Sequence, residues 1–179
     1  MYKYVKRLLD IILSLIFIIL LSPLFILIYI TLIFTLKEQV IYKQLREGKD
    51  KKPFTMYKFR TMILDTSIPD KDRITKFGRI LRNLSIDELP QLFNVLKGDM
   101  SLIGPRPFIV GEPLPSDYID ELRYSVRPGM TGYAQIHGKR KVSHKDKIMY
   151  DVEYAKEYSL ILDMKILFLT IFNMIQKCN

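Results

Sequence analysis

The chain has 179 residues, of which 49% are hydrophobic and 26% charged, and its 28 basic and 19 acidic residues give a formal net charge of +9. This length suits one domain with a small appendage, and the charge predicts an anionic partner: membrane phospholipid, nucleotide phosphates or nucleic acid. The only cysteine, Cys178, excludes a disulfide framework and fits a reducing compartment. His137 and His144 lack metal-ligand spacing, so no zinc site is predicted.

The first predicted element is an uncharged apolar segment, residues 11–36. As one helix it would extend roughly 39 Å, against about 30 Å for the bilayer core, and it is too long for a cleaved signal peptide. One interpretation is a straight transmembrane helix. The other is a re-entrant helix-break-helix, because Ser22-Pro23 interrupts the middle of the segment and proline kinks a helix. Basic residues flank both ends, which favours the cytoplasm for both; they are Lys3, Lys6, Arg7, Lys37, Lys43, Arg46 and Lys49.

Two short strands and an amphipathic helix are predicted next. Residues 40–44 and 54–62 carry aromatic and β-branched side chains near period two. After a polar loop, residues 73–84 change to the helical period. Basic side chains recur along this helix on one face, which is either a solvated surface or a phosphate-facing one; they are Arg73, Lys76, Arg79 and Arg82.

Residues 85–98 predict a helix that starts around residues 86–89, since Pro90 is tolerated only in a first turn. Its start carries Asp87 and Glu88, and Lys97-Gly98 forms a typical end. One interpretation of the acidic pair is helix capping, because Ser85 and Glu88 have capping-box spacing. A last apolar run, residues 160–175, is predicted to be either an interfacial amphipathic helix or a core helix.

The alternative interpretation of Asp87 and Glu88 is phosphoryl chemistry. Arg82 precedes them, and Arg106 follows between two prolines in Gly104-Pro-Arg-Pro107. Arginine binds phosphate oxygens bidentately, and a helix N-terminus favours anions. Carboxylates hold Mg²⁺, and one of them can attack phosphorus to form an acyl phosphate.

Five stretches together carry a resemblance to a known family: Lys6-Arg-Leu-Leu-Asp10, Tyr57-Lys-Phe-Arg-Thr-Met62, residues 84–107, Arg127-Pro-Gly-Met-Thr-Gly132 and Asp163-Met-Lys-Ile-Leu167. The chain resembles the bacterial sugar transferases, specifically the small monotopic polyprenyl-phosphate phosphoglycosyl transferases. The resemblance implies an α+β fold: a re-entrant membrane anchor over residues 1–36, then a small, mainly helical cytoplasmic catalytic domain over residues 37–179. Short strands and interfacial amphipathic helices are expected in that domain.

The resemblance also implies a reaction and a set of roles. Asp87 corresponds to the nucleophile and Mg²⁺ ligand, and Glu88 to the residue that assists proton movement. Arg82 and Arg106 correspond to phosphate-binding residues, and Ser22-Pro23 to the membrane helix break. The enzyme is expected to transfer sugar-1-phosphate from a UDP-sugar to polyprenyl (undecaprenyl) phosphate, releasing UMP through an aspartyl-phosphosugar intermediate. The enzyme is expected at the cytoplasmic face of the bacterial inner membrane, in contact with phospholipid. It is not expected to bind nucleic acid. Its reaction would be the first membrane step of glycan assembly.

One departure from the family pattern follows Gly132. The family usually reads Ala-Gln-Val-Asn-Gly-Arg, whereas this chain has Ala134-Gln-Ile-His137-Gly-Lys139, which affects the local sugar or nucleotide contacts. The competing hypothesis is a non-enzymatic, membrane-anchored basic module that binds nucleic acid or lipid. It explains the charge and the apolar segment but gives no reason for an acidic pair between Arg82 and Arg106.

Overall fold

A computed structural model of the protein describes residues 2–37, 39–112, 121–138 and 143–178. Within these ranges the fold is α+β and mostly helical, as the sequence predicted. The helices are α1 (Tyr2–Leu20), α2 (Ser22–Leu36), α3 (Asp70–Arg73), α4 (Lys76–Asn83), α5 (Gln91–Lys97), α6 (Tyr133–Gly138), α7 (His144–Glu157) and α8 (Leu160–Cys178). The strands are β1 (Ile41–Glu47), β2 (Pro53–Phe59), β3 (Ser101–Ile103) and β4 (Gly129–Thr131).

The apolar segment is broken at the predicted position. Helix α1 stops at Leu20 and α2 starts at Ser22 with Pro23 in its first turn, and the two axes are bent by 60°. The Ser22 hydroxyl donates to the Ile19 carbonyl oxygen (2.8 Å), which satisfies a backbone acceptor that the break leaves free. In the described residues no single helix is long and apolar enough to cross a bilayer; the bent pair meets that criterion together, on length and composition alone.

Both outer ends of the bent pair pack against the rest of the chain. Near the start of α1, Lys6 pairs with Asp163 (2.6 Å). At the middle of α1, Asp10 is buried and accepts from the Ser101 hydroxyl (3.1 Å) and the Leu102 amide (3.0 Å). At the far end of α2, the buried face that contains Leu32 and Leu36 joins the hydrophobic cluster around Phe59 and Leu81. The N-terminal end of α1 and the C-terminal end of α2 therefore contact the same body.

Two small sheets position the loops that matter for function. Strands β1 and β2 form an antiparallel hairpin, with Ile41 opposite Phe59 and Glu47 opposite Pro53. Strands β3 and β4 are parallel, and β3 leads directly into the loop 104–107. Gly104 is needed there, because a Cβ on it would lie 2.3 Å from the Arg127 carbonyl oxygen.

The helix predicted over residues 73–84 is split. Ile74 is extended and pairs with Met62, and Thr75 then caps a new helix by accepting from the Gly78 amide (2.9 Å). A cap residue needs non-helical backbone, so Thr75 cannot also continue the preceding turn. The predicted basic face is divided in the same way. Arg73 pairs with Asp70 (2.9 Å) on the earlier turn, whereas Lys76, Arg79 and Arg82 lie on α4.

Helix α8 covers and extends the predicted C-terminal run. Its inner face buries Asp163 and Ile166, and Asp163 is held by Lys6 (2.6 Å) and the Tyr154 hydroxyl (2.7 Å). Its outer face exposes large apolar side chains: Ile161, Met164, Phe168, Ile171 and Phe172. The helix therefore has both a core face and an apolar face open to a partner, so neither sequence interpretation alone describes it.

Candidate active site

The acidic pair lies on a 3-10 turn, Ile86–Glu88, and not inside the helix that follows it. Helix α5 begins only at Gln91, with Pro90 as its N-cap. Ser85 has a left-handed backbone (φ +58°) and makes no side-chain capping hydrogen bond. The capping-box interpretation is therefore wrong: the Ser85 side chain does not cap the turn, and the Glu88 carboxylate bonds to Lys58 instead.

Glu88 lies between two cations. Its Oε1 accepts from the Lys58 ammonium at 2.7 Å and lies 3.8 Å from a guanidinium nitrogen of Arg106. Burial alone would raise the pKa of Glu88, but the charges of Lys58 and Arg106 outweigh it and hold that pKa below its usual range. Glu88 is therefore anionic at neutral pH; it holds the Lys58 ammonium at hydrogen-bond distance and makes only a longer contact with Arg106.

Asp87 experiences the opposite balance. Burial, and then the charge of the neighbouring Glu88, raise the pKa of Asp87, while Lys58 and Arg82 limit the rise. A half-buried carboxylate whose negative charge is only partly balanced by nearby cations is suited to bind a further cation or to attack an electrophile, because either contact stabilises the charge. The two adjacent carboxylates thus have different properties.

The predicted arginines reach this turn from two directions. Arg82, at the end of α4, donates from Nε to the Thr61 hydroxyl (2.7 Å), which fixes its guanidinium near Asp87. Arg106 extends from the loop after β3, and its side chain is 55% exposed, so its donors remain open to a ligand. The structure therefore brings Asp87, Glu88, Arg82 and Arg106 together, as the sequence predicted.

A small cleft opens to solvent beside the turn. Its lining includes Arg46, Lys58, Glu88, Gln91, Arg106 and Met130. Only Glu88 of the acidic pair lines it; Asp87 lies next to it on the same turn. Four cations and two carboxylates give the region a formal surplus of two positive charges (4 − 2), which suits an anionic ligand.

Two of these cations were missed by sequence reasoning. Arg46 on β1 donates to the Pro107 carbonyl oxygen (3.1 Å), and Lys58 on β2 reaches Glu88. A signal for Lys58 existed: it belongs to the stretch 57–62 that carries the resemblance, and it shares a strand face with the buried Met56. Arg46 was noted only as a basic flank of the apolar segment, because its partner lies 61 residues along the chain.

The site fits one mode of magnesium binding. The described residues contain no group of three or more His, Cys, Asp or Glu side chains that could hold a metal ion. Glu88 is already paired with cations, so Asp87 is the carboxylate available as a ligand. Mg²⁺ commonly takes only one or two carboxylates and completes its shell with water and substrate phosphates. Asp87 fits that mode and does not form a cage by itself.

The position that departs from the family pattern lies on α6. The His137 ring stacks on Tyr150 (centroids 4.8 Å apart, planes 21° apart) and packs edge-on against Tyr133 at 4.2 Å. His137 therefore belongs to a surface aromatic cluster between α6 and α7, outside the cleft lining. Lys139, the other departure, lies outside the described residues.

Comparison with known proteins gives the family. The sequence model of the family described as "Bacterial sugar transferase" matches residues 1–177. The chain belongs to this family. The predicted membership of the bacterial sugar transferase family is thereby confirmed.

Three relatives show which proteins the chain is similar to. The "Uncharacterized sugar transferase EpsL" of Bacillus subtilis is 50% identical over 138 residues, which is 74% of this chain and 68% of the relative. A "UDP-glucose:undecaprenyl-phosphate glucose-1-phosphate transferase" of Klebsiella pneumoniae is 42% identical over 93% of this chain and 39% of the relative. An "Undecaprenyl-phosphate galactose phosphotransferase" of Salmonella typhimurium is 38% identical over 94% of this chain and 40% of the relative. The chain thus spans about two fifths of these last two proteins.

Proposed function

We propose that this family member transfers a sugar-1-phosphate from a UDP-sugar to polyprenyl phosphate, giving a polyprenyl-diphosphate-linked sugar and UMP. The observation that carries the proposal is the Asp87–Glu88 turn surrounded by four cations in one region. Both substrates are organic phosphates, which such a region suits. The name of the Klebsiella relative contains both substrate classes, and the name of the Salmonella relative contains the undecaprenyl phosphate.

The proposed chemistry has two displacements at one phosphorus. A carboxylate oxygen of Asp87 attacks the phosphorus that bears the sugar and forms a P–O bond, while the bond to the UMP oxygen breaks and UMP leaves with the electron pair. A phosphate oxygen of the polyprenyl phosphate then attacks the same phosphorus and displaces Asp87. The acyl phosphate divides one difficult transfer between two anions into two steps.

The neighbouring residues have distinct roles in this scheme. Arg82 and Arg106 bind the diphosphate oxygens, and Lys58 neutralises charge that develops on them. Glu88 holds Lys58 in place and assists movement of a proton from the acceptor phosphate. Mg²⁺, held by Asp87 and the substrate, would supply neutralisation of the diphosphate charge.

The scheme is tested by following UMP release from a panel of UDP-sugars with undecaprenyl phosphate and the purified full chain in detergent. We expect turnover with at least one UDP-sugar, dependent on the lipid phosphate and lost on chelation of divalent cations. The competing hypothesis, a non-enzymatic basic module, predicts binding of lipid or nucleic acid without release of UMP from any donor. That outcome would reject the proposal.

The different environments of Asp87 and Glu88 lead to a prediction about pH. Asp87 must be anionic to attack, and its pKa is raised, so we expect the acidic limb of the kcat/KM profile to lie above the usual aspartate range. Since the Glu88 charge contributes to the rise, Glu88→Gln is expected to move this limb to lower pH while it also lowers the maximal rate. A limb that moves to higher pH in Glu88→Gln would contradict the assignment to Asp87.

We also propose that the anchor is re-entrant, with both ends at the cytoplasmic face of the cell membrane. Contacts at both ends support this arrangement: Asp10 bonds to β3, and Leu32 and Leu36 pack in the cluster with Phe59. A straight crossing would separate Asp10 from the body that contains its partners. It would also leave Lys6 without Asp163, an ion pair at 2.6 Å.

Cysteine labelling tests the topology. Single cysteines at the exposed positions Lys3→Cys and Gln39→Cys, in a Cys178→Ser background, are treated with a membrane-impermeant thiol reagent on intact cells. We expect both to be protected, and both to react once the cells are broken open. Labelling of Lys3→Cys alone on intact cells would show a spanning helix.

A matched variant tests the cause of the topology. Ser22→Ala combined with Pro23→Leu restores a backbone donor and removes the kink, so the segment is expected to straighten and expose the N-terminus to the reagent. An unchanged labelling pattern would mean that the charges and contacts near the ends determine the topology, and not the break.

A further inference from the structure

A buried ion pair lies behind the loop that carries Arg106. Arg123, from the 3-10 turn Glu121–Ser125, and Asp151, from α7, are each 2% exposed and join through Nη2 and Oδ2 at 2.9 Å. The same Nη2 donates to the Arg106 carbonyl oxygen at 2.8 Å. Neither member of the pair lines the cleft, yet Arg123 contacts the backbone of a residue that does.

The Arg106 backbone lies between two prolines that are themselves tied to the fold. Pro105 and Pro107 have no N–H groups, and their carbonyl oxygens accept from the Gly129 amide (2.9 Å) and from Arg46 (3.1 Å). The Arg106 carbonyl oxygen is satisfied by Arg123 (2.8 Å), which Asp151 holds from the other side (2.9 Å). The ion pair therefore acts on the Arg106 backbone through its carbonyl oxygen.

The guanidinium of Arg123 is itself held in one direction. It lies 3.7 Å from the centroid of the Phe108 ring and 4.9 Å from that of Tyr124. A planar guanidinium between aromatic rings has little freedom to rotate. Its Nε and the Asp151 Oδ1 are buried without hydrogen-bond partners in the described residues, so the pair keeps a geometry that leaves bonding capacity unused.

Buried ion pairs are generally not needed for stability, because well-packed apolar side chains serve as well or better. Burying Arg123 and Asp151 costs desolvation free energy, so we look for the role of the pair in what it contacts, the Arg106 backbone. Within the described residues the Arg106 side chain, which is 55% exposed, has only a long contact with Glu88 (3.8 Å), so these surroundings do not fix it. The direction of the Arg106 guanidinium therefore depends on how the Arg106 backbone is held.

We propose that Arg123 and Asp151 are positioning residues: the buried pair fixes the Arg106 backbone and so directs its guanidinium at the substrate phosphate. This inference rests on the proposed function, in which Arg106 binds phosphate. Positioning matters because a displacement of about 1 Å at a reacting group costs roughly a hundredfold in rate.

A double-mutant cycle tests the inference. Asp151→Asn is made in the full chain with native Arg106 and in Arg106→Lys, and kcat and KM for UMP release are measured with the UDP-sugar turned over fastest. We expect Asp151→Asn to lower kcat/KM by about tenfold to a hundredfold with native Arg106. In Arg106→Lys, already slowed, the further loss is expected to be under about threefold, since a lysine on its flexible stem depends less on backbone direction.

Two further variants separate positioning from stability. Asp163→Asn removes a chemically similar buried carboxylate that does not contact Arg106, so its effect is expected to be the same in both backgrounds. Arg123→Met with Asp151→Leu replaces the pair by apolar side chains; it is expected to keep the unfolding temperature yet lose activity as Asp151→Asn does.

The possible outcomes separate failure of the inference from failure of the proposed function. Equal losses from Asp151→Asn in the two backgrounds, or full activity in Arg123→Met with Asp151→Leu, would overturn the inference and leave the proposed function intact. Wild-type kinetics in Arg106→Lys would instead remove Arg106 from the phosphate site, and the inference with it. Affinity for UMP, measured by calorimetry on the same set, gives a second readout that is independent of turnover and is expected to show the same coupling.

Discussion

Asp87→Asn is expected to lower turnover by about a thousandfold or more, because asparagine keeps the shape of the side chain but cannot attack phosphorus as an anion. The fold is expected to remain, and the unfolding temperature to stay equal or rise. The sign follows from the raised pKa of Asp87: the folded state holds this proton more tightly than the unfolded chain, so stability falls as the carboxyl ionises. A neutral amide at this position avoids that loss at neutral pH.

The measurement uses UMP release together with a trapping experiment. Sugar-labelled UDP-sugar is mixed with enzyme in the absence of polyprenyl phosphate, and label bound to protein is counted after rapid quenching. We expect bound, hydroxylamine-sensitive label in the wild type and none in Asp87→Asn. Asp72→Asn, on the exposed surface of α3, serves as the matched control. Bound label in Asp87→Asn would assign the nucleophile to another residue.

Lys58→Met is expected to lower kcat/KM by roughly a hundredfold, comparable to the removal of one oxyanion donor from an active site. Glu88 would lose its closest partner, at 2.7 Å, and keep only the contact with Arg106 at 3.8 Å. Lys58 also lowers the pKa of Asp87, so its loss raises that pKa and reduces the fraction of the attacking anion. Methionine has nearly the same length, so packing against the cleft is largely kept.

The control and the partner variant make this test specific. Lys43→Met removes an exposed lysine from the same hairpin and is expected to leave the rate unchanged. Lys58→Met combined with Glu88→Gln is expected to lose less than the product of the two single losses, because Lys58 acts partly through Glu88. Strictly multiplicative losses would mean that the two residues act independently, contrary to their ion pair.

Local chemistry allowed the sequence to determine several features by itself. Proline in the middle of an apolar helix must break it, and the break occurs at Leu21, between Leu20 and Ser22. The 3.6 and two-residue periods located α4, α5, α8 and the hairpin to within a few residues, and the resemblance identified the family. Asp87, Glu88, Arg82 and Arg106 lie within 25 positions of one another, so short-range motif reasoning was sufficient to group them.

Only the tertiary structure decided which side chains act on that group and how. Lys58 and Arg46 join from the β1–β2 hairpin, Asp10 ties the anchor to β3, and Arg123 with Asp151 fixes the backbone of Arg106. The structure also excluded the capping interpretation of Ser85, whose backbone is left-handed, and paired Glu88 with Lys58. The physical reason is that the hydrophobic period and composition of a sequence indicate which residues are buried or helical. Which residue pairs with a buried charge depends instead on how distant parts of the chain come together in space.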